Sequence, residues 1–272
     1  MRSGLAGRLA MVAVVLVVGA AGVWFLTRAA APKPGLTTAD IPALQVTPAA
    51  VQPGAAVPVS LTAADPVALS TPVSGTSQPS SLTDWANGIT GVTGIPEPAL
   101  WAYGNAELAM RATRSSCHLT WATLAGIGRV ESDNGQFAGA HLLPNGQESQ
   151  PVIGVPLDGN GGVQDIPDTD HGRLDGDTVH DHAVGPMQFL PSTWQEYGAD
   201  AVGDGQPDPE NINDAALAAA GYLCTGGRDM GTASGWWSGI MSYNDSAQYG
   251  QKVFGLADSY AREAYTAMNA NH

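Results

Sequence analysis

Gly126-Ile127-Gly128-Arg129-Val130-Glu131-Ser132 is the stretch whose reading decides the fold. It must be read with Ala183-Val184-Gly185-Pro186-Met187-Gln188-Phe189-Leu190-Pro191-Ser192-Thr193-Trp194. The first ends an apolar, helix-like run on one carboxylate. Gly126 and Gly128 on that run allow another segment to approach closely. The second is a tight Gly-Pro turn, an apolar edge of Met187, Phe189 and Leu190, and a Ser-Thr step opening a new helix. An acid facing a structured polar loop suits acid/base chemistry on a sugar chain. A carboxyl half-buried against Leu124, Ile127 and Val130 is expected to hold its proton near neutrality.

Around these segments the chain reads as mainly helical. Pro98–Arg114 reads as one helix and Thr120–Val130 as a second. Pro191–Tyr197 starts a third, and Ala215–Cys224 forms a fourth, capped by Asn213 or Asp214. A fifth follows Asp245 or Ser246 and runs to about Asn269. Period-two alternation is confined to short pieces near Val152 to Leu157. The Gly-, Asp- and Pro-rich stretch from Gly139 to His182 reads as a long functional loop, one wall of a cleft.

The ends and the composition set the context. Arg2 and Arg8 precede Leu9 to Leu26, a run without charge. This reads as a membrane anchor, with a cleaved signal peptide as the alternative because Ala29-Ala30-Ala31 offers a small-residue site. Residues 29–81 read as a Pro/Ala/Thr/Ser-rich, disordered linker, and 82–272 as one compact domain. The formal net charge is −14, and all 25 acidic residues but only eight of the 11 basic ones follow Arg28. No basic patch exists to neutralise phosphates, so nucleic acid is excluded as a ligand. Cys117 and Cys224 are the only cysteines and read as a disulfide in an exported protein. Such a loop is worth roughly 4–5 kcal/mol in the chain-entropy model.

The ordered features of 82–272 resemble the lytic murein transglycosylases, in the membrane-bound B type found in actinobacteria. They are Val130-Glu131-Ser132 with Gly135, the run Gly185 to Ser192, Asp214-Ala215-Ala216-Leu217, and Ser242-Tyr243-Asn244-Asp245-Ser246. The resemblance implies a lysozyme-like α+β domain with Glu131 as the sole catalytic acid and base. It implies cleavage of the β-1,4 bond between N-acetylmuramic acid and N-acetylglucosamine, leaving 1,6-anhydromuramoyl ends. Ser132, Gln188, Ser192, Tyr243 and Asn244 carry over as the polar residues around the sugar, with Thr193 as the rival hydroxyl to Ser192. The implied partners are peptidoglycan glycan strands, the membrane through the N-terminal helix, and other cell-wall enzymes. The implied place is the outer face of the membrane, in the cell envelope.

Two other chemistries fit parts of the sequence. A hydrolase needs a second carboxylate, and Asp168, Asp170, Asp175, Asp177 or Asp181 is placed to supply one. An inactive peptidoglycan-binding module would keep the fold without the cut. No cofactor is required by either chemistry. Calcium is an option at Asp200, Asp204, Asp208 and Asn211, which fall at positions 1, 5, 9 and 12 of an EF-hand-like loop, with Gly205 at 6. Val202 at position 3 departs from that pattern. His171, His180 and His182 lack the spacing of a zinc site.

Overall fold

The structure, a computed structural model, describes residues 46–59, 63 and 81–269. The apolar run on which the anchor expectation rests lies outside these residues. Among the described residues no helix is long and apolar enough to cross a membrane.

Among the described residues there are seven α-helices: α1 (Leu82–Thr93), α2 (Glu97–Thr113), α3 (Trp121–Ser132), α4 (Pro191–Tyr197), α5 (Ile212–Leu223), α6 (Ala233–Tyr243) and α7 (Ala247–Asn269). The mainly helical expectation holds. Its β component does not form strands: among the described residues only isolated bridges occur, such as Ile153 to Val184 and Pro167 to His180. The Val152 to Leu157 piece contributes one bridge and then turns. Its neighbours are too rich in Gly and Asp to extend a ladder.

α3 runs through the centre. It packs on α7, while α2 packs on α5 and α1 lies against both α2 and α7. Residues Trp121 to Gly128 are buried on every side, as a helix apolar all round must be. Gly126 and Gly128 do what their spacing suggests. A Cβ on Gly126 would meet the Val253 carbonyl of α7 at 2.8 Å, and one on Gly128 would collide with the Tyr103 hydroxyl of α2. The N-terminus of α3 has no side-chain cap of its own. The buried Glu107 carboxylate of α2 accepts the Trp121 N–H at 2.7 Å instead, satisfying an orphan donor and opposing the helix dipole.

α5 is capped by Asn211, whose side chain accepts the Asn213 N–H at 3.0 Å. The cap lies upstream of Asn213 and Asp214, because both of those are buried inside the first turn. Cys117 and Cys224 are joined, closing a separation of 107 residues.

Part of the stretch expected to be a spacer packs on the helices. The Ala49 N–H donates to the Gln251 carbonyl at 3.1 Å, and the Gln251 side chain donates to the Val51 carbonyl at 2.8 Å. Trp237 donates its indole N–H to the Ala56 carbonyl at 3.1 Å. Val59 donates to Asp258, and the buried Ala63 donates to Glu107. For residues 46–59 and 63 the disordered reading is therefore corrected. Val51, Val57 and Val59 pack against the core, so even this Pro- and Ala-rich composition buries enough apolar surface to be held.

Candidate active site

Glu131 is the penultimate residue of α3 and is fully buried. The Tyr249 hydroxyl, from the first turn of α7, donates to Glu131 Oε1 at 2.6 Å. Burial first, and then the charge of Glu131, hold the Tyr249 phenol well above its ordinary range. The buried Tyr243 at the end of α6 is raised in the same way, with burial the larger cause and Glu131 the next. Both phenols therefore keep their protons and are able to donate.

The Gly-Pro loop closes over the end of α3. Every residue from Ala183 to Pro191 is buried. The Ser132 hydroxyl donates to the Pro186 carbonyl at 2.6 Å and accepts the Gly135 N–H at 2.8 Å. Tyr243 donates to the Met187 carbonyl at 2.8 Å. Gly185 has φ +74°, and a Cβ there would run into the Pro209 carbonyl. Gln188 sits in the left-handed region with φ +48°, an uncommon place for a side chain of its size. Its amide donates to the carbonyls of Val152 and Gly185 at 3.1 and 2.9 Å. Its Oε1 is buried with no hydrogen-bond partner.

Thus the structure brings Glu131, Ser132, Gln188 and Tyr243 into one buried region, but gives Ser132 and Tyr243 structural work. Their hydroxyl protons hold the loop. Ser192 is different: it lies exposed on the first turn of α4, whose N-cap is Leu190. Asn244 caps the C-terminus of α6 and is half-buried.

The sequence reading missed Tyr249. It falls on the apolar stripe of α7 with Val253, Phe254, Ala257 and Tyr260, where an aromatic reads as core. It also missed two acids behind the loop, the buried Glu148 and the half-buried Glu210. Glu148 is 6% exposed, and neither of its carboxylate oxygens has a hydrogen-bond partner. Its Oε1 lies beside Gly135, in the turn that follows Glu131. Burial, then the neighbouring Glu210, pushes Glu148 up to about 8. Glu210 accepts the N–H groups of Gly185 and Val152 at 3.1 and 3.0 Å and is itself pushed up to about 7, mainly by burial.

The acids of the long loop are committed to its own turns. Asp181 is fully buried, and its two oxygens accept the Thr169 N–H and hydroxyl at 2.8 and 2.7 Å. Asp177 accepts the Val179 N–H and pairs with His182, while Asp175 accepts the His182 N–H. His180 lies 3.5 Å from Asp165. Among the described residues, the group of carboxylates at metal-holding spacing is Asp168, Asp170 and Asp181, with oxygens within 4.8 Å of one another. Those oxygens accept backbone N–H groups of the same loop.

The residues considered for calcium are not drawn into such a group. Asp200 accepts the N–H groups of Gly203, Asp204 and Gly205. Asp204 accepts that of Gln206, Asp208 accepts that of Glu210 and the Gln147 amide, and Asn211 caps α5. The loop is organised instead by the fully buried Asp214, which accepts the N–H groups of Ala201 and Asp208 at 2.7 and 3.0 Å.

No curated protein matches the chain, and no solved structure does. Residues 180–237, which carry the Gly-Pro loop, α4 and α5 but not Glu131, match the family model described as a transglycosylase SLT domain.

Proposed function

We propose that the protein cuts peptidoglycan glycan strands by single-glutamate acid/base catalysis, as a B-type lytic transglycosylase held at the outer face of the membrane. The observation that carries the reading is Glu131. A carboxyl with no exposure, fixed by a 2.6 Å bond from Tyr249, ends a buried helix and is covered by the loop that the family model matches. Removal from water disfavours a bare carboxylate. With Oε1 accepting from Tyr249, the proton of the acid form sits on Oε2.

In this reading Glu131 gives that proton to the oxygen between N-acetylmuramic acid and N-acetylglucosamine as the bond to C1 breaks. The 2-acetamido group supports the developing cation. Glu131, now a carboxylate, takes the proton of the sugar's 6-hydroxyl, and O6 closes on C1. The acid is regenerated and no water is consumed. Ser192 and Asn244, the least buried of the carried-over residues, are proposed to hold the sugar. Gln188 is proposed to face it through the buried Oε1. Ser132 and Tyr243 are proposed to act by holding the loop.

Hydrolysis would need a second carboxylate able to hold a water, and both oxygens of Asp181 are taken by Thr169. The chemistry requires no cofactor. Calcium at Asp200, Asp204, Asp208 and Asn211 is the weaker part of the proposal. A calcium titration that leaves the melting temperature unmoved removes it.

Release of soluble fragments from purified peptidoglycan tests the function. The parent chain should solubilise the wall and Glu131→Gln should not. Pelleting of the parent with the wall without release would instead make it a binding module.

A further inference from the structure

A cavity of about 590 Å³, with no candidate active-site residue in its lining, lies between the end of α2 and the turn after α5. Arg114, which caps α2, and Arg228 both line it, with the Cys117–Cys224 bond and Tyr197 in its wall. Arg129 and Arg262 pair with acids one helical turn away. Among the described residues neither Arg114 nor Arg228 forms an ion pair with a carboxylate.

Each guanidinium makes a limited set of bonds to the end of α5. Arg114 donates to the Gly221 carbonyl at 2.9 Å. Arg228 donates through Nη1 to the carbonyls of Leu223 and Tyr222 at 2.8 and 3.4 Å. A guanidinium has five N–H donors in a fork that matches a carboxylate or phosphate. The structural role alone therefore leaves most of those donors unused. The end of α5 contributes about half a negative charge, which two full positive charges outweigh. The nearby Asp229 is already held by His118 at 2.7 Å and by the Gly231 N–H; Glu196 adjoins Tyr197 in sequence.

One ring in the cavity wall belongs to a packed row that ends at the candidate active site. Tyr197 packs edge-on against Tyr222 at 5.1 Å, and Tyr222 against Tyr243 at 5.8 Å. Tyr243 in turn senses the charge of Glu131.

We propose that the Arg114–Arg228 cavity is a subsite for a carboxylate of the short acidic peptide that the glycan bears. This rests on the reading that peptidoglycan is the substrate. The subsite makes the protein discriminate between free-acid and amidated peptides independently of the cut.

The test is calorimetric titration of the full chain, in detergent, with a synthetic stem peptide bearing free carboxylates and with its fully amidated form. The free-acid peptide should bind at least tenfold more tightly, and its affinity should fall with added salt. The Arg114→Gln/Arg228→Gln double variant should lose that preference, and Arg228→Lys should lie between, because it keeps the charge and loses the fork. Equal affinity for the two peptides overturns the proposal. So does inorganic phosphate competing as well as the peptide, which would make the cavity a general anion site. Should the double variant unfold, the comparison of the two peptides on the parent still decides. Binding does not require turnover. A chain that prefers the free acid but releases no fragments keeps the subsite and loses the cleavage reading. A chain that cleaves without the preference does the reverse.

Discussion

Tyr249 owes its place beside Glu131 to one 2.6 Å hydrogen bond, and a bond to an ionisable group is worth about 1.5–3 kcal/mol. Tyr249→Phe is expected to lower kcat by about 10- to 100-fold and to cost about 1.5–3 kcal/mol of stability. A loss of stability without loss of rate would make Tyr249 a packing residue. Glu148 makes a separate prediction, through pH. Its folded value of about 8, and that of about 7 for Glu210, lie above the ordinary 4.5. The folded chain therefore holds both protons more tightly than the unfolded one. That stabilisation is complete below about pH 4.5 and is lost as pH rises through 7 and 8, a change on the order of a few kcal/mol. The groups facing Glu148 are Glu210 and the Tyr103 phenol, with Asp208 beside Glu210. Glu148→Gln should flatten the fall in melting temperature between about pH 5 and pH 8; an unchanged slope would clear Glu148 of that role. Glu131 was legible because an acid ending an apolar run faces an ordered motif. Tyr249, Glu148 and Glu210 were not, because their significance lies in which partner they meet or lack, and burial of an isolated Glu leaves no local pattern.

At the scale of elements, the loop over α3 is held by few contacts, and each is testable. Ser132→Ala removes the donor to Pro186 and the acceptor of Gly135, both buried. Urea melts should show a loss of about 1–3 kcal/mol. Gly185→Ala combines a strained φ with a backbone collision, so it should cost more, about 3 kcal/mol or above. Equal, small effects would mean that the loop is supported elsewhere. The helices with clear period and ends were readable from sequence: α2 and α7 lie within a few residues of where their caps and apolar stripes placed them. α1 and α6 were not singled out. Their sequences, LTDWANGITGVT and ASGWWSGIMSY, are rich in Gly, Thr, Ser and Trp, which favour helix weakly. Burial of Trp85, Ile89, Trp236 and Ile240 decides them instead. The cap of α5 lies two or three residues ahead of the expected one because Asn211, Asn213 and Asp214, on either side of Ile212, offer the same signal.

Across the whole molecule, the strap of residues 46–59 and Ala63 joins the chain ahead of α1 to α7, α6 and α2. Ala49 and Val51 grip Gln251, two residues beyond Tyr249, and Ala63 shares Glu107 with the start of α3. A chain beginning at 82 should therefore be less stable than one beginning at 46, by about 2–3 kcal/mol for the hydrogen bonds alone, read as a lower melting temperature. Identical melts would return these residues to the role of spacer. Composition pointed away from this packing, because Pro and Ala carry little sign of what they lie against.

The central claim is that Glu131 acts alone, as acid and then as base, with the substrate's own hydroxyl as nucleophile. Mass spectrometry of the fragments that the full chain releases from purified peptidoglycan addresses it most directly. The account predicts anhydromuramoyl ends, one water lighter than reducing ends, and none from Glu131→Gln. Reducing ends from the parent would contradict it, because water would then be the nucleophile and a second group would have to activate it.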